Sequence, residues 1–196
     1  MKGTEEGQLT GLIADPIYHY IVMTDRVEGE RTERDVIDTP WVQRLRRIFQ
    51  LQSARWVFPS AEHTRFQHSL GTMHVAGVFS ERLYPSLSRI FRQDLPSPFY
   101  IEELLRLAGL LHDIGHGPFC HFFDEQYLSR FKTNHEEIGQ HIIRERISPV
   151  LKGIRRSPHG PLKKGESIDP EHVAFLIKRS LRKENRKHPK WLLLLQ

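Results

Sequence analysis

The chain has 196 residues, is 38% hydrophobic and carries a formal net charge of +5. These values predict one ordinary domain with room for a core, and no stretch reaches the roughly 18 apolar residues that cross a bilayer. The polar start lacks the hydrophobic region of a signal peptide, and the single cysteine, Cys120, excludes an internal disulfide. We therefore expect a cytoplasmic protein with no membrane partner.

The predicted secondary structure is helical after a short N-terminal β region. Residues 12–23 form the main strand-like passage, and residues 28–30 provide a hairpin turn. Thr39 and Pro40 then provide an N-cap followed by proline at the first helical position. Apolar stripes predict further helices, including one over residues 101–111 and a last one over residues 170–183. The predicted fold class is all-α with a small N-terminal β-hairpin.

The most informative stretch is residues 110–121, which place His112 and Asp113, and then His116, beside an apolar helix. Histidine nitrogens and a carboxylate oxygen form a ligand set that suits Mn, Fe, Zn or Ni. Alone, the doublet could equally be a buried pair that is hydrogen-bonded internally. His68 favours the metal interpretation, because it lies on a helical segment, away from that segment's apolar face, and can point into a shared cleft.

Three ordered runs carry a resemblance to a known family. Residues 38–46 (DTPWVQRLR), 57–71 (VFPSAEHTRFQHSLG) and 107–121 (LAGLLHDIGHGPFCH) resemble the HD superfamily of metal-dependent phosphohydrolases. The closest likeness is to its branch of deoxynucleoside triphosphate triphosphohydrolases. The resemblance extends over about residues 12–195 and implies a single HD-domain helical bundle over residues 1–196.

The resemblance implies a site for one divalent ion (Mn, Fe, Zn, Ni or Mg). Its implied ligands are His68, His112 and Asp113. The family's fourth ligand is an aspartate farther downstream, whereas Asp169 reads as a helix N-cap before proline. The leucine run that ends at Gln196 either is a terminal helix or strand docked on the core or has nothing left to pack against, and we favour the second interpretation. We therefore expect a domain truncated before its last metal ligand.

The resemblance also implies residues for phosphate binding and proton transfer. They are His116, His121, Asp124 and His135. Histidine titrates near neutrality, and a neighbouring carboxylate can fix its tautomer and raise its basicity. Thr133 and Glu136 have capping-box spacing, which would place His135 in the first turn of a helix, where free amides favour an anion.

Two further residues are implied to bind the substrate. Arg65 matches an arginine that contacts phosphate, which suits the planar fork of a guanidinium. Its alternatives are a solvated helix face or an ion pair with Glu62. Gln50 matches a glutamine that reads the sugar, with a structural role as its alternative. Cys120 lies between two of the histidines, but we do not expect it to be a ligand.

The predicted function is hydrolysis of a nucleotide, most closely of a deoxynucleoside triphosphate to deoxynucleoside and triphosphate. The alternatives are another HD phosphatase or phosphodiesterase, and a nucleotide-binding module with weak or lost catalysis. Related enzymes often form homo-oligomers, which is a further expectation. Basic residues cluster at 44–47 and 178–190, so a nucleic-acid-binding protein is the hypothesis from a different class. It is not favoured, because such runs usually form a solvated face.

Overall fold

The structure is a computed structural model that describes residues 10–178 and 188–196. Helices dominate it and a two-stranded hairpin precedes them, which confirms the predicted class. The predicted helix over 170–183 falls partly outside the described residues. Among the described helices, none combines the length and apolar character that crossing a membrane requires.

The N-terminal hairpin has a tighter turn than the sequence predicted. Strand β1 (Thr10–Asp15) pairs antiparallel with β2 (His19–Thr24). The carboxylate of Asp15 accepts hydrogen bonds from the backbone amides of Ile17 and Tyr18, which closes the turn between the strands. A turn does form at residues 28–30, where the amide of Glu30 donates to the carbonyl oxygen of Val27. It is not the turn of the hairpin as predicted, because Asp15 reverses the chain inside the strand-like passage.

Nine α-helices lie in the described residues, together with a second hairpin of two-residue strands. The helices are α1 (Glu33–Ile37), α2 (Pro40–Gln43), α3 (Arg65–Phe91), α4 (Pro98–Leu111), α5 (His121–Gln126), α6 (His135–Ile142), α7 (Ser148–Leu151), α8 (Pro170–Leu176) and α9 (Lys190–Leu195). The strands β3 (Arg156–Ser157) and β4 (Gly160–Pro161) form the second hairpin. A turn of π-helix connects α6 directly to α7. The cap predicted at Thr39 and Pro40 is confirmed at the start of α2.

Helices α3 and α4 form the centre of the core and position the site at one end. The apolar stripe of α4 is fully buried, including Ile101, Leu104 and Leu111. Gly109 sets the spacing of the two helices, since a Cβ there would lie 2.9 Å from the carbonyl oxygen of Thr72 on α3. Because the backbones approach this closely, residues near the start of α3 and the end of α4 can meet.

The C-terminal helices differ from the expectation in length and packing. Asp169 caps α8 by accepting a hydrogen bond from the amide of Glu171, as predicted. Helix α8 ends at Leu176, short of the predicted residue 183. The leucine run forms α9 and buries Trp191 and Leu192 in the core. The expectation that this run has nothing to pack against was therefore wrong.

Candidate active site

Two helix ends bring the proposed metal ligands together. Thr64 caps α3, and its hydroxyl accepts from the amide of Gln67 while the Gln67 side chain accepts from the amide of Thr64. This capping box fixes the start of α3 and so places His68 in its first turns. Helix α4 ends at Leu111, and the doublet of His112 and Asp113 follows immediately. The doublet therefore lies on a helix end, where two adjacent side chains can turn to the same side.

His68, His112 and Asp113 form a compact triangle of ligand atoms. The two Nε2 atoms lie 3.2 Å apart, and the Oδ2 atom of Asp113 lies 3.2 Å from Nε2 of His112 and 3.6 Å from Nε2 of His68. Ligands about 2.1 Å from one ion are separated by about 3.0–3.4 Å in octahedral or tetrahedral geometry. Two sides of the triangle fall in this range and the third, at 3.6 Å, is slightly longer, so the triangle is close to the size that a single divalent ion requires. The three ligand types suit a borderline transition metal.

The pKa shifts of His68 and Asp113 favour ligation, whereas that of His112 opposes it. Nδ1 of His112 lies 2.8 Å from the carbonyl oxygen of Gly109 and so must carry the proton, which leaves Nε2 free to accept. Burial lowers the pKa of His68, and the neighbouring His112 lowers it further. Burial opposes ionisation of Asp113, but the neighbouring imidazoles of His112 and His116 outweigh it and hold the Asp113 pKa well below its ordinary value. For His112, burial is outweighed by Asp113, which raises the His112 pKa.

Arg65 lies against the same carboxylate. It is the first residue of α3 and is 3% exposed, and its Nη1 donates to Oδ2 of Asp113 over 2.5 Å. The alternatives of a solvated face or a pair with Glu62 are wrong, because Glu62 instead lies 3.6 Å from Arg55. The guanidinium therefore stands beside the ligand triangle and adds positive charge where an anionic substrate would approach.

A second cluster adjoins the triangle through Asp113. Its members are His116, His121, Asp124 and His135. The ring of His116 stacks on that of His135 with centroids 3.7 Å apart, and its Nε2 lies 3.4 Å from Oδ1 of Asp113. Nδ1 of His135 is in close contact with Oδ2 of Asp124, and Nδ1 of His121 lies 3.9 Å from the same oxygen. Four proton-carrying side chains therefore line one wall beside the proposed metal.

The members of this cluster differ in exposure and hydrogen bonding. His116 is completely buried, and within the described residues neither of its ring nitrogens has a hydrogen-bond partner; burial lowers its pKa. The side chain of His121, by contrast, is 58% exposed. A buried neutral imidazole and an exposed one can therefore play different parts in the same reaction.

Local sequence explains how α6 brings His135 to the site. Asn134 caps α6, and its side chain accepts from the amide of Glu137. The predicted capping box at Thr133 was therefore displaced by one residue, although His135 does lie in the first turn. Gly115 allows the close approach, because a Cβ there would lie 1.8 Å from the carbonyl oxygen of His135. Only a residue without a side chain fits at this crossing.

Sequence reasoning missed two residues that support the site. Arg44 donates from Nη1 to the carbonyl oxygen of His116 over 2.7 Å and contacts that of Ile114, so it fixes the turn after the doublet. Cys120 is buried, and its sulfur lies 2.9 Å from Nε of Arg65 and 3.2 Å from the carbonyl oxygen of Phe49. Both contacts join residues far apart in sequence, so no local pattern could have indicated them.

Gln50 lies in the segment before α3 and contacts His63. Its backbone amide donates to the carbonyl oxygen of His63, and its buried side-chain oxygen has no partner in the described part of the chain. A cavity of about 520 Å³ opens beside His68, and Tyr18, His63 and Thr72 contribute to its walls. His63, expected to be a loop or cap residue, therefore faces this space as well.

The structure is a helical domain in which two helix ends present a histidine and a His-Asp doublet that could hold a metal ion. Comparison with known proteins shows the family. The family model of the HD domain matches residues 65–190, so the chain belongs to the HD domain family. This match spans α3, α4 and the whole of both side-chain clusters.

The most informative relatives carry a more specific name. The chain is 36% identical over 153 residues to the human deoxynucleoside triphosphate triphosphohydrolase SAMHD1, with 72% of this chain and 22% of that protein covered. It is 34% identical over 131 residues to the Dictyostelium discoideum homologue of SAMHD1, with 65% and 23% covered. A mimivirus putative HD domain-containing protein, L394, is 36% identical over 163 residues, with 75% and 32% covered. The chain thus spans between a fifth and a third of these relatives.

Proposed function

We propose that the protein is a metal-dependent phosphohydrolase that converts a deoxynucleoside triphosphate and water to a deoxynucleoside and triphosphate. The observation that carries the proposal is the joining of two side-chain clusters through Asp113. Its Oδ2 faces the two imidazoles of the ligand triangle and its Oδ1 faces His116. A metal site and a group of proton carriers therefore share one carboxylate, as hydrolysis of a phosphoester requires.

The ligand triangle supplies the metal part of the reaction. His68, His112 and Asp113 would hold one divalent ion of the Mn, Fe, Zn, Ni or Mg group. When bound, the ion would polarise a phosphoryl oxygen and lower the pKa of a coordinated water. Arg65 neutralises Asp113 and offers its remaining donors to the phosphate oxygens.

The histidine cluster supplies the proton transfer. Water adds to the α-phosphorus, the bond from that phosphorus to O5′ breaks, and the leaving nucleoside oxygen takes up a proton. We assign this proton to His121, because its exposed ring can reach a bound ligand. Asp124 orients His121 and His135 from one carboxylate, which favours the tautomer with the proton on Nδ1 of His135. His116, buried and stacked on His135, supports that ring from behind.

The nucleotide substrate has support from both the cavity and the relatives. The space beside His68, about 520 Å³, falls in the size range of small-molecule sites. The printed name of the human and Dictyostelium relatives specifies deoxynucleoside triphosphates. We extend the same proposal to the sugar contact of Gln50 and to assembly of several copies, for which the exposed apolar run at Trp56, Val57 and Phe58 is suited.

A nucleotide panel with product analysis tests the proposal. The purified chain, loaded with Mn or Mg, is incubated with dNTPs, NTPs, deoxynucleoside monophosphates and cyclic nucleotides, and the products are separated by anion exchange. We expect deoxynucleoside and inorganic triphosphate in equal amounts from dNTPs. If the only product is inorganic phosphate from the monophosphates, or nucleoside monophosphate from the cyclic nucleotides, the protein is another HD phosphatase or phosphodiesterase. Binding of nucleotide without turnover would indicate a nucleotide-binding module.

Two histidines of α3 give a matched control for that panel. His68→Asn removes a ligand of the triangle, and we expect it to abolish both metal binding and turnover. His74→Asn changes the same residue type on the same helix, but His74 belongs to neither cluster, and among the described residues its ring packs against that of Tyr18. It should retain metal and activity close to wild type. Equal activity of both variants would remove the metal assignment.

A further inference from the structure

Cys120 occupies a conformation that few residues with a side chain adopt. Its φ is 52° and its ψ is −126°, and Phe119 before it has a φ of 63°. This region favours glycine, because a Cβ crowds the backbone there. The two residues turn the chain so that the Phe119 ring is 67% exposed while the Cys120 thiol is completely buried. The bend thus directs a thiol into the interior at the start of α5.

The buried thiol connects three segments of the proposed site. Nε of Arg65 lies 2.9 Å from the sulfur and donates to it. The thiol can in turn donate to the carbonyl oxygen of Phe49, 3.2 Å away. Phe49 precedes Gln50, and His121 follows Cys120 directly. The Cys120 side chain therefore contacts both Arg65 and the backbone just before Gln50, and the residue directly precedes His121 on α5.

The direction of these bonds fixes the guanidinium of Arg65. Nη1 is bound to Asp113 and Nε to Cys120, so two of its three nitrogens are held within the described structure. Because the guanidinium is planar, two fixed nitrogens set the direction of the third, Nη2. Its donors then remain available for phosphate oxygens.

We infer that Cys120 is a positioning residue, which acts on the triphosphate through Arg65. The inference rests on the proposed function, in which Arg65 binds phosphate. Without the thiol, Nε of a 3% exposed arginine would lose its acceptor, and the side chain could turn about its remaining bond to Asp113. The plane of its donors would no longer match the phosphate.

Kinetics and anion binding of two Cys120 variants test the inference. Cys120→Ala removes the acceptor and keeps a Cβ, whereas Cys120→Ser keeps both an acceptor and a donor. We expect Cys120→Ala to raise KM for the nucleotide, and the Kd of inorganic triphosphate in calorimetry, on the order of tenfold, with a smaller change in kcat. Cys120→Ser should recover most of this loss. Wild-type values in Cys120→Ala, or equal losses in both folded variants, would overturn the inference.

A double-variant comparison separates positioning from general destabilisation. In an Arg65→Lys background no Nε–H exists, so adding Cys120→Ala should change triphosphate binding no further. Additive losses would overturn the inference. Ser80→Ala is the control for packing and should keep wild-type binding. Ser80 is buried in α3, and in the described part of the chain its hydroxyl donates to the carbonyl oxygen of Gly77. If Cys120→Ala does not fold, Cys120→Gly removes the same thiol with a backbone suited to a φ of 52°, and the same expectation applies.

Failure of the inference is distinguishable from failure of the proposed function. A wild-type chain that hydrolyses no nucleotide defeats the proposed function. The triphosphate affinities of wild type and Cys120→Ala still differ in that case if Cys120 positions Arg65, and agree if it does not.

Discussion

Gly115 and His135 are in contact through their backbones, at the crossing of the turn after the doublet and the start of α6. A Cβ on Gly115 would lie 1.8 Å from the carbonyl oxygen of His135 and 2.5 Å from the amide nitrogen of Gly139. Both neighbours are backbone atoms and cannot rotate away. This contact holds the ring of His116 against that of His135, and so it brings together the two segments that form the histidine cluster.

We predict that Gly115→Ala displaces α6 and lowers both stability and activity. The added methyl group overpacks the crossing, which costs about 1–3 kcal/mol. For a chain of this size, each kcal/mol lowers Tm by about 2–4 °C. Thermal unfolding followed by circular dichroism measures the first effect, and nucleotide turnover measures the second.

Gly139→Ala is the matched control for that substitution. Its Cβ would lie 3.1 Å from Cδ1 of Ile177, the end of a flexible side chain that can move. The change in Tm should therefore be clearly smaller. A larger effect at Gly139 than at Gly115 would contradict the assigned role of the crossing.

Asp113 has both a ligand role and a structural role, and two substitutions separate them. Asp113→Asn removes the charge that pairs with buried Arg65, at a cost of about 3 kcal/mol, the low end for breaking a buried pair because the amide oxygen can still accept. His112→Gln removes a ligand but leaves that pair intact. Both variants should lose bound metal, as measured by elemental analysis.

Stability measured in excess chelator distinguishes the two variants, because metal then contributes to neither. Denaturant unfolding should show the larger loss for Asp113→Asn. If His112→Gln is destabilised equally under these conditions, the pair of Arg65 and Asp113 does not carry the structural role.

The sequence predicted that the three residues of the ligand triangle would lie together, because they occur in short local motifs at the ends of two helices with periodic apolar positions. It could not predict Arg44 and Cys120, because their partners lie 72 and 55 residues away in the chain. Their contacts depend on how the turn after the doublet packs against the segment before α3. These contacts follow from the three-dimensional packing, and no spacing of residues along the sequence indicates them.

Local competition between neighbouring residues explains the smaller errors. Thr133 and Asn134 are both good N-caps, and the structure selects Asn134, which moves the start of α6 by one residue. Likewise, both the turn after Asp15 and the glycine-containing turn at residues 28–30 form, and the hairpin uses the first, in which the Asp15 carboxylate accepts from two amides. In both cases the element was correctly predicted and its boundary was not.

A buried ion pair connects α1 to α4. Nε and Nη2 of Arg106 donate to the two carboxylate oxygens of Glu33 over 2.6 and 3.0 Å, and Nη2 also donates to the carbonyl oxygen of Val22. Arg106→Met would leave Glu33 buried without a counter-charge. We predict a loss of about 3–5 kcal/mol in the free energy of unfolding.

An exposed pair provides the comparison for Arg106. Arg31 lies 3.4 Å from Asp35, and the two side chains are 59% and 34% exposed. Arg31→Met should change the free energy of unfolding by about 0–1 kcal/mol. Urea unfolding of the two variants measures both changes in the free energy of unfolding. Similar losses in Arg106→Met and Arg31→Met would contradict the assignment of a larger contribution to the buried pair.

The last prediction concerns Glu103 on α4, a completely buried carboxyl whose two oxygens have no partner within the described residues. Burial raises its pKa well above the ordinary value, and Glu33 raises it further against the opposing charge of Arg106. At a pH between the pKa of Glu103 in the unfolded state and its higher pKa in the folded state, the folded state binds more protons. The free energy of unfolding therefore falls as the pH rises through this range. Once the pH exceeds both pKa values, each pKa unit between the folded and unfolded states lowers the free energy of unfolding by about 1.4 kcal/mol.

Glu103→Gln removes the ionisation and should flatten this dependence. We expect its free energy of unfolding, relative to wild type, to rise steadily from pH 5 to pH 8, as measured by urea unfolding at each pH. Glu28→Gln, at an exposed position in the loop before α1, should change nothing in this comparison. A constant difference between Glu103→Gln and wild type over that range would mean that Glu103 ionises without cost, which its burial beside Glu33 does not allow.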